Sequence, residues 1–152
     1  RPPAYWEEIA RAREVSSINV IANGEIWNPA DALRCLQVTG CTDLMLGRGV
    51  LCRPDLPRQV AALNNTQAPE SLHWEQIPPL LLHFFELNLA NYDARYAPNP
   101  VKQWLAYLRA YFPQAALLFE SIKRLRDPQA LHARLRAEVE RVQLDIKMTV
   151  TA

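Results

Sequence analysis

Two short glycine turns, Asn23-Gly24-Glu25 and Gly47-Arg48-Gly49, hold the residues best suited to chemistry in this chain. Each follows a short apolar run, so each reads as the turn at the carboxyl end of a strand. In parallel α/β proteins, ligands sit at that end of the sheet. Glycine lets backbone N–H groups come close to an anion, and a following helix start adds favourable partial charge. Arg48 contributes a fixed positive fork. Two such turns on consecutive strands suit a cofactor phosphate. The plainer alternative is that the glycines serve only tight turns and Arg48 pairs with Glu25.

A second set of residues is cationic. Between Arg95 and Arg136 stand 8 basic side chains, opposed only by Glu120 and Asp127. Lys102 and Arg109 lie about two helical turns apart, opposite an apolar stripe of Val101, Trp104, Leu105 and Leu108. Lys123, Arg124 and Arg126 close the next helix, and Arg134 and Arg136 continue onto the last. Tyr92, Tyr96, Tyr107 and Tyr111 are interleaved with them. Cations position phosphates while planar rings stack on unpaired bases. The same cations near helix C-termini also serve as ordinary complements to the helix dipole.

Acid–base chemistry has less support. His73, His83 and His132 fall on separate segments, His83 reading as structural and His132 as solvent-facing. Glu7 and Glu8 are adjacent on a helix and therefore diverge. No nucleophile elbow appears. Cys35, Cys41 and Cys52 fit no zinc spacing and read as small buried hydrophobes with reduced thiols, which points to the cytoplasm. No metal site and no catalytic set is expected.

The elements that position these residues change character along the chain. The 152 residues are 49% hydrophobic and carry a net charge of +1, which suits a folded protein. The longest apolar run is far too short to cross a bilayer. Residues 4–14 read as an amphipathic helix with Trp6, Ile9, Ala10 and the Arg13 stem inward. Residues 18–22 read as a buried strand. A helix capped by Asn28-Pro29 runs to Gly40, residues 43–46 form a second buried strand, and a helix follows Pro54-Asp55. This is the rhythm of a parallel α/β fold, with only two strands. After a polar linker over 64–72 the chain reads as a helical bundle: 73–89, 101–112, a helix from Pro113 with Ala116, Leu117, Phe119, Ile122 and Leu125 inward, and one capped by Asp127-Pro128 with Leu131, Leu135, Val139, Val142 and Ile146 inward.

The stretch INVIANGEIWNPADALRCLQVTGCTDLMLGRGVL resembles the last two strand–helix units of bacterial tRNA-dihydrouridine synthases, and VKQWLAYLR followed by LFESIKRLR resembles their C-terminal helical domain, most of all in the C subfamily. The resemblance implies an α/β plus all-α chain: the last two strands of a (β/α)8 TIM barrel over residues 1–62, then a helical tRNA-binding domain over 63–152. It implies an FMN-dependent, NADPH-using reduction of a D-loop uridine in tRNA. Asn23, Gly24, Glu25, Gly47 and Arg48 would hold part of the FMN site, its phosphate above all. Lys102, Gln103, Tyr107, Arg109 and Lys123 would hold tRNA.

The family's catalytic cysteine lies in an Asn-x-Gly-Cys-Pro context that does not occur in this sequence, so no catalytic residue is assigned. The lysine and histidine that the family places over the flavin are missing too, and Pro100 stands where the C subfamily has a second basic residue. The chain opens on Arg1-Pro2-Pro3 and reads as the C-terminal portion of a longer protein, inactive alone. With strand neighbours missing, self-association, association with the absent barrel part or a loosened first half is expected. A stand-alone RNA-binding module is the alternative. A phosphate-binding barrel enzyme unrelated to RNA is weaker, since it would not need a basic helical half.

Overall fold

The computed structural model describes residues 4–63 and 69–150. Arg1-Pro2-Pro3 and residues 64–68 of the expected linker lie outside the described residues. Two compact units divide the chain, Arg1–Ser71 and Leu72–Ala152.

The first unit contains α1 (Trp6–Val15), β1 (Ala22–Asn23), α2 (Pro29–Thr39), β2 (Leu44–Met45), α3 (Arg48–Cys52) and α4 (Leu56–Ala61). The two strands pair in parallel, Ala22 opposite Leu44 and Asn23 opposite Met45, with α2 as the crossover. Both are shorter than expected. Ile18 is 77% exposed and Ile21 is also exposed, so the front of the 18–22 run is neither strand nor buried. A strand needs a partner for its backbone groups, and the described residues offer one only from Ala22 onward, whose N–H donates to the Asp43 carbonyl at 3.1 Å.

Helix α2 starts and stops where its sequence says it should. The Asn28 side chain accepts from the Asp31 N–H at 2.9 Å, Pro29 occupies the first turn, and Gly40 closes the helix at φ 65°. Its inner side packs Ala32 and Cys35 against Trp6, Ala22, Ile26 and Cys41. All three cysteines are free and buried. Burial, with Cys41 nearby, raises the Cys35 thiol above its ordinary value; burial also raises Cys52, with Arg48 opposing. Arg13 is exposed rather than inward, its Nε donating to the Thr39 carbonyl at 3.1 Å.

The regular elements among the described residues of the second unit are all helical: a 3-10 turn (Trp74–Gln76), α5 (Ile77–Asn91), α6 (Pro98–Leu108), α7 (Pro113–Ile122) and α8 (Pro128–Val150). Phe85, Leu105, Leu108, Leu118, Ile122, Leu131 and Leu135 form its centre. Three expectations need correction. On α7 and just after it, Ile122 is buried and Phe119 and Leu125 pack against the core as expected, but Ala115 and Leu118 are buried in place of Ala116 and Leu117; Leu117 is 75% exposed, since 115, 118 and 122 share one i, i+3, i+7 face. His83 is exposed, because α5 buries Leu81 and Phe85 and thereby turns position 83 outward. On α8 Glu138 is buried and Val139 half-buried, and Ile146 is exposed because the helix runs past its last buried residue, Val142.

Glu138 accepts from Arg141 Nη2 at 2.6 Å and from Arg134 Nη1 at 3.1 Å. Burial alone would raise its carboxyl, but the hydrogen bonds from Arg141 and Arg134 outweigh that and hold it below its ordinary value. A lowered folded-state value means that this stability is present above the unfolded value, about 4.3, and is lost as pH falls through the folded one. Glu138→Gln is therefore expected to cost about 1–2 kcal/mol at neutral pH and to flatten the fall in melting temperature below about pH 4.3. Parallel melting curves for both proteins between neutral pH and pH 3 check this.

Candidate functional site

The first turn has unusual backbone geometry. Gly24 has φ 121°, and Glu25 follows at φ 52°, the one non-glycine residue with positive φ among the described residues. A side chain at Gly24 would place its Cβ 2.7 Å from that of Ala4, so the segment leading into α1 approaches too closely for any other residue. Trp6 of α1 donates from Nε1 to the Gly24 carbonyl at 2.9 Å and fixes the turn from beneath. An L-residue in the left-handed region costs about 1–2 kcal/mol, and such strain persists only where surrounding contacts hold it.

Those contacts are on the Glu25 carboxylate. Oε1 accepts from Arg48 Nη2 at 2.9 Å, and Oε2 accepts from Trp27 Nε1 at 3.0 Å. The Arg48 guanidinium also lies 5.4 Å from the Trp27 ring centroid, closing a three-membered ring of contacts. The second turn differs from expectation. Gly47 precedes α3, and Arg48 and Gly49 are already helical. A Cβ built on Gly49 would sit 2.1 Å from the Ile26 carbonyl oxygen, so this glycine allows α3 to rest against the first turn's backbone. Gly47 has open space on its Cβ side, and Asn23 is exposed.

The structure thus brings together Gly24, Glu25 and Arg48, with Asn23 and Gly47 at the strand ends. The pairing of Arg48 with Glu25, one of the two alternatives read from sequence, is present. It leaves the rest of the guanidinium fork available, since the Arg48 side chain remains 56% exposed. Trp27 escaped residue-level reading. The signal was its position, two residues beyond Glu25, from which a long ring can reach back to the turn. Trp27→Ala is expected to speed hydrogen exchange at the Arg48 Nε–H about two- to fivefold, the loss of one exposed cation–π contact, whereas Trp27→Phe retains most of the protection. Arginine side-chain NMR on both variants reads this directly.

The basic residues of the second unit are in unequal states. Lys102 is half-buried and donates from Nζ to the Leu125 carbonyl, which ties α6 to the segment after α7. Burial, with Arg126 adding like-charge repulsion, lowers its ammonium below the ordinary value. Lys123 is exposed and paired with Glu120. Arg109 folds over Phe119, 4.8 Å from the ring, and donates to the Ala106 carbonyl. Gln103 and Tyr107 are exposed on α6. Arg124, Arg126 and Arg136 are exposed, and among the described residues no carboxylate pairs with them. They were read only as a run, although they are the cations least committed to the fold. His132 is half-buried rather than solvent-facing, with Nε2 3.1 Å from Glu86 Oε1. Among the described residues no group of three or more His, Cys, Asp or Glu is placed to hold a metal, and no helix is long and apolar enough to cross a membrane.

The sequence model of the dihydrouridine synthase family matches residues 1–145. The chain belongs to that family. Curated relatives named tRNA-dihydrouridine(16) synthase agree. One from Aquipseudomonas alcaligenes is 44% identical over 127 residues, covering 84% of this chain and 40% of the relative. One from Pseudomonas putida is 44% identical over 124 residues, covering 82% and 38%. One from Cupriavidus necator is 37% identical over 156 residues, covering 100% of this chain and 44% of the relative. The chain therefore spans about two-fifths of the length of the family members it matches.

Proposed function

We propose that this chain serves a tRNA-dihydrouridine synthase, an oxidoreductase that converts a D-loop uridine of tRNA to 5,6-dihydrouridine with FMN and NADPH. In this reading the first unit is the closing part of a TIM barrel, and its exposed apolar residues Ile18, Ile21 and Met45 lie against the rest of that barrel. The second unit grips tRNA. The observation that carries the proposal is a family match over nearly the whole chain, joined to a first-turn cluster and a set of uncommitted arginines that suit the family's two anionic ligands.

The first-turn residues fit a phosphate monoester. Both oxygens of Glu25 are engaged by donors, so its charge is largely answered. Arg48 keeps free N–H groups, Asn23 presents an exposed amide, and the open side of Gly47 admits an anion close to backbone. Arg48, Asn23 and the backbone at Gly24 and Gly47 would hold the FMN phosphate, with Glu25 orienting Arg48. Bound flavin supplies the hydride for reduction of the uracil ring. Lys102, Gln103, Tyr107, Arg109 and Lys123, joined by Arg124 and Arg126, would face the tRNA backbone. Without the Asn-x-Gly-Cys-Pro motif the chain binds but does not reduce, and its setting is the cytoplasm.

Equilibrium dialysis of FMN against riboflavin tests the flavin half of the proposal. FMN is expected to bind more tightly than riboflavin, and Arg48→Ala is expected to lower FMN affinity at least tenfold without changing riboflavin, since a hydrogen bond to a charged group contributes about 1.5–3 kcal/mol. Equal affinity for the two flavins, or for FMN in both proteins, would overturn the phosphate assignment.

A further inference from the structure

The end of α5, the 92–97 loop and the start of α6 border an open cavity of about 640 Å³ in the second unit, within the volume range of small-molecule sites. Its floor is apolar: Phe84, held edge-to-face by Trp104 at 5.4 Å, together with Leu87 and Pro100. Two tyrosines line it while largely exposed, Tyr92 at 68% and Tyr96 at 55%. Arg95 lies over the Tyr96 ring, 5.4 Å from its centroid, and adds a cation beside that wall.

The polar atoms in the wall are biased toward acceptors. Asn88 is buried, and its amide donates to the Phe84 carbonyl at 2.6 Å. An amide carbonyl cannot face another carbonyl, so Asn88 Oδ1 must turn the other way, and no donor among the described residues meets it. Asn91 repeats the arrangement, its amide donating to the Leu87 carbonyl at 2.7 Å. Asp93 accepts the Arg95 N–H with Oδ1 and keeps Oδ2. Asn88 Oδ1 is not buried, so it stands open to the cavity and can take a donor from a ligand.

A flat ring that stacks on tyrosine and donates N–H groups satisfies this wall. A phosphate does not, because Asp93 would repel it. We propose that this cavity receives an unpaired nucleobase bearing an exocyclic amino group: adenine, cytosine or guanine. Uracil fits less well, since its single N–H is flanked by carbonyls that would face the Asn and Asp oxygens. The proposal rests on the tRNA reading and adds to it a base-holding site apart from the cationic residues. It gives the grip a contact that counts base chemistry as well as phosphates.

Tyr92→Ala and Tyr92→Phe in the full chain, titrated with unmodified tRNA over a range of salt, test it. Tyr92 is exposed enough that its truncation leaves the core untouched. Tyr92→Ala is expected to weaken tRNA about five- to tenfold with the salt slope unchanged, because a stack is lost and no phosphate contact. Tyr92→Phe is expected to bind like the unaltered chain. If Tyr92→Ala binds tRNA as well as the unaltered chain does, while Arg126→Ala weakens it, the nucleobase site is wrong and the tRNA reading survives. If the unaltered chain binds no tRNA at low salt, the tRNA reading fails, and NMR of the Tyr92 and Tyr96 rings with adenosine, cytidine or uridine decides the cavity. Shifts with adenosine and cytidine that exceed those with uridine support the site; no shifts, or equal shifts with uridine, overturn it.

Discussion

Gly49→Ala is expected to unfold or severely loosen the first unit while leaving the second unit intact. The added methyl group would lie 2.1 Å from the Ile26 carbonyl oxygen and 2.9 Å from Leu56 Cδ2. Leu56 is fully buried, so it has little room to move, and a backbone oxygen cannot rotate away without displacing the Glu25–Ile26 segment. Overpacking of this kind costs about 1–3 kcal/mol and more where backbone must shift. The same displacement would carry Glu25 away from Arg48, so loss of the ion pair accompanies loss of fold. Amide spectra should show residues 4–63 broadened or shifted while the signals of α5 to α8 keep their positions.

The second large effect is electrostatic. Joint replacement of Arg124 and Arg126 by alanine is expected to weaken tRNA binding about 10- to 100-fold near 0.1 M salt and to reduce the slope of log K against log salt by about 2. These two arginines follow α7, are exposed and meet no carboxylate among the described residues, so their charge remains for a ligand. Removing Arg126 also removes the like charge acting on Lys102, whose ammonium is then less depressed. Lys123→Ala is expected to matter less, because Glu120 already answers its charge. Filter binding of the double and single variants at several salt concentrations separates these cases.

Much of this arrangement was legible in the residues because it rests on local rules. Asn28-Pro29 and Gly40 bound α2 through capping chemistry that needs no tertiary partner, and Asp127 does the same at the start of α8. The glycines at 24 and 47 marked the turns for the same reason. What did not read correctly depends on long-range packing. The run at 18–22 has the composition of a buried strand, yet strand character requires a neighbour, and the first unit supplies one only beside Ala22 and Asn23. On α7 Ile122 and Phe119 face the core as read, whereas Leu117 and Leu118 are equivalent in composition and only the facing helix selects Leu118. At the site, Glu25 and Arg48 were named from motif spacing, but the two bonds that organise Glu25 span different distances along the chain. The nearer partner, Trp27, carries a side chain usually assigned to the core. Lys102 stands opposite the apolar stripe of α6 in the sequence pattern, and its bond to the Leu125 carbonyl appears only once α6 and the segment after α7 are side by side.

The proposed function gives this chain the tRNA grip and a phosphate-binding turn of a dihydrouridine synthase without its reducing centre. Titrating the intact chain with unmodified tRNA at several salt concentrations, with NADPH and FMN present and dihydrouridine assayed in the same samples, tests it most directly. The prediction is binding that weakens steeply with salt, loses slope when Arg124 and Arg126 are replaced, and yields no dihydrouridine. Absence of binding at low salt, or binding indifferent to salt, would contradict it.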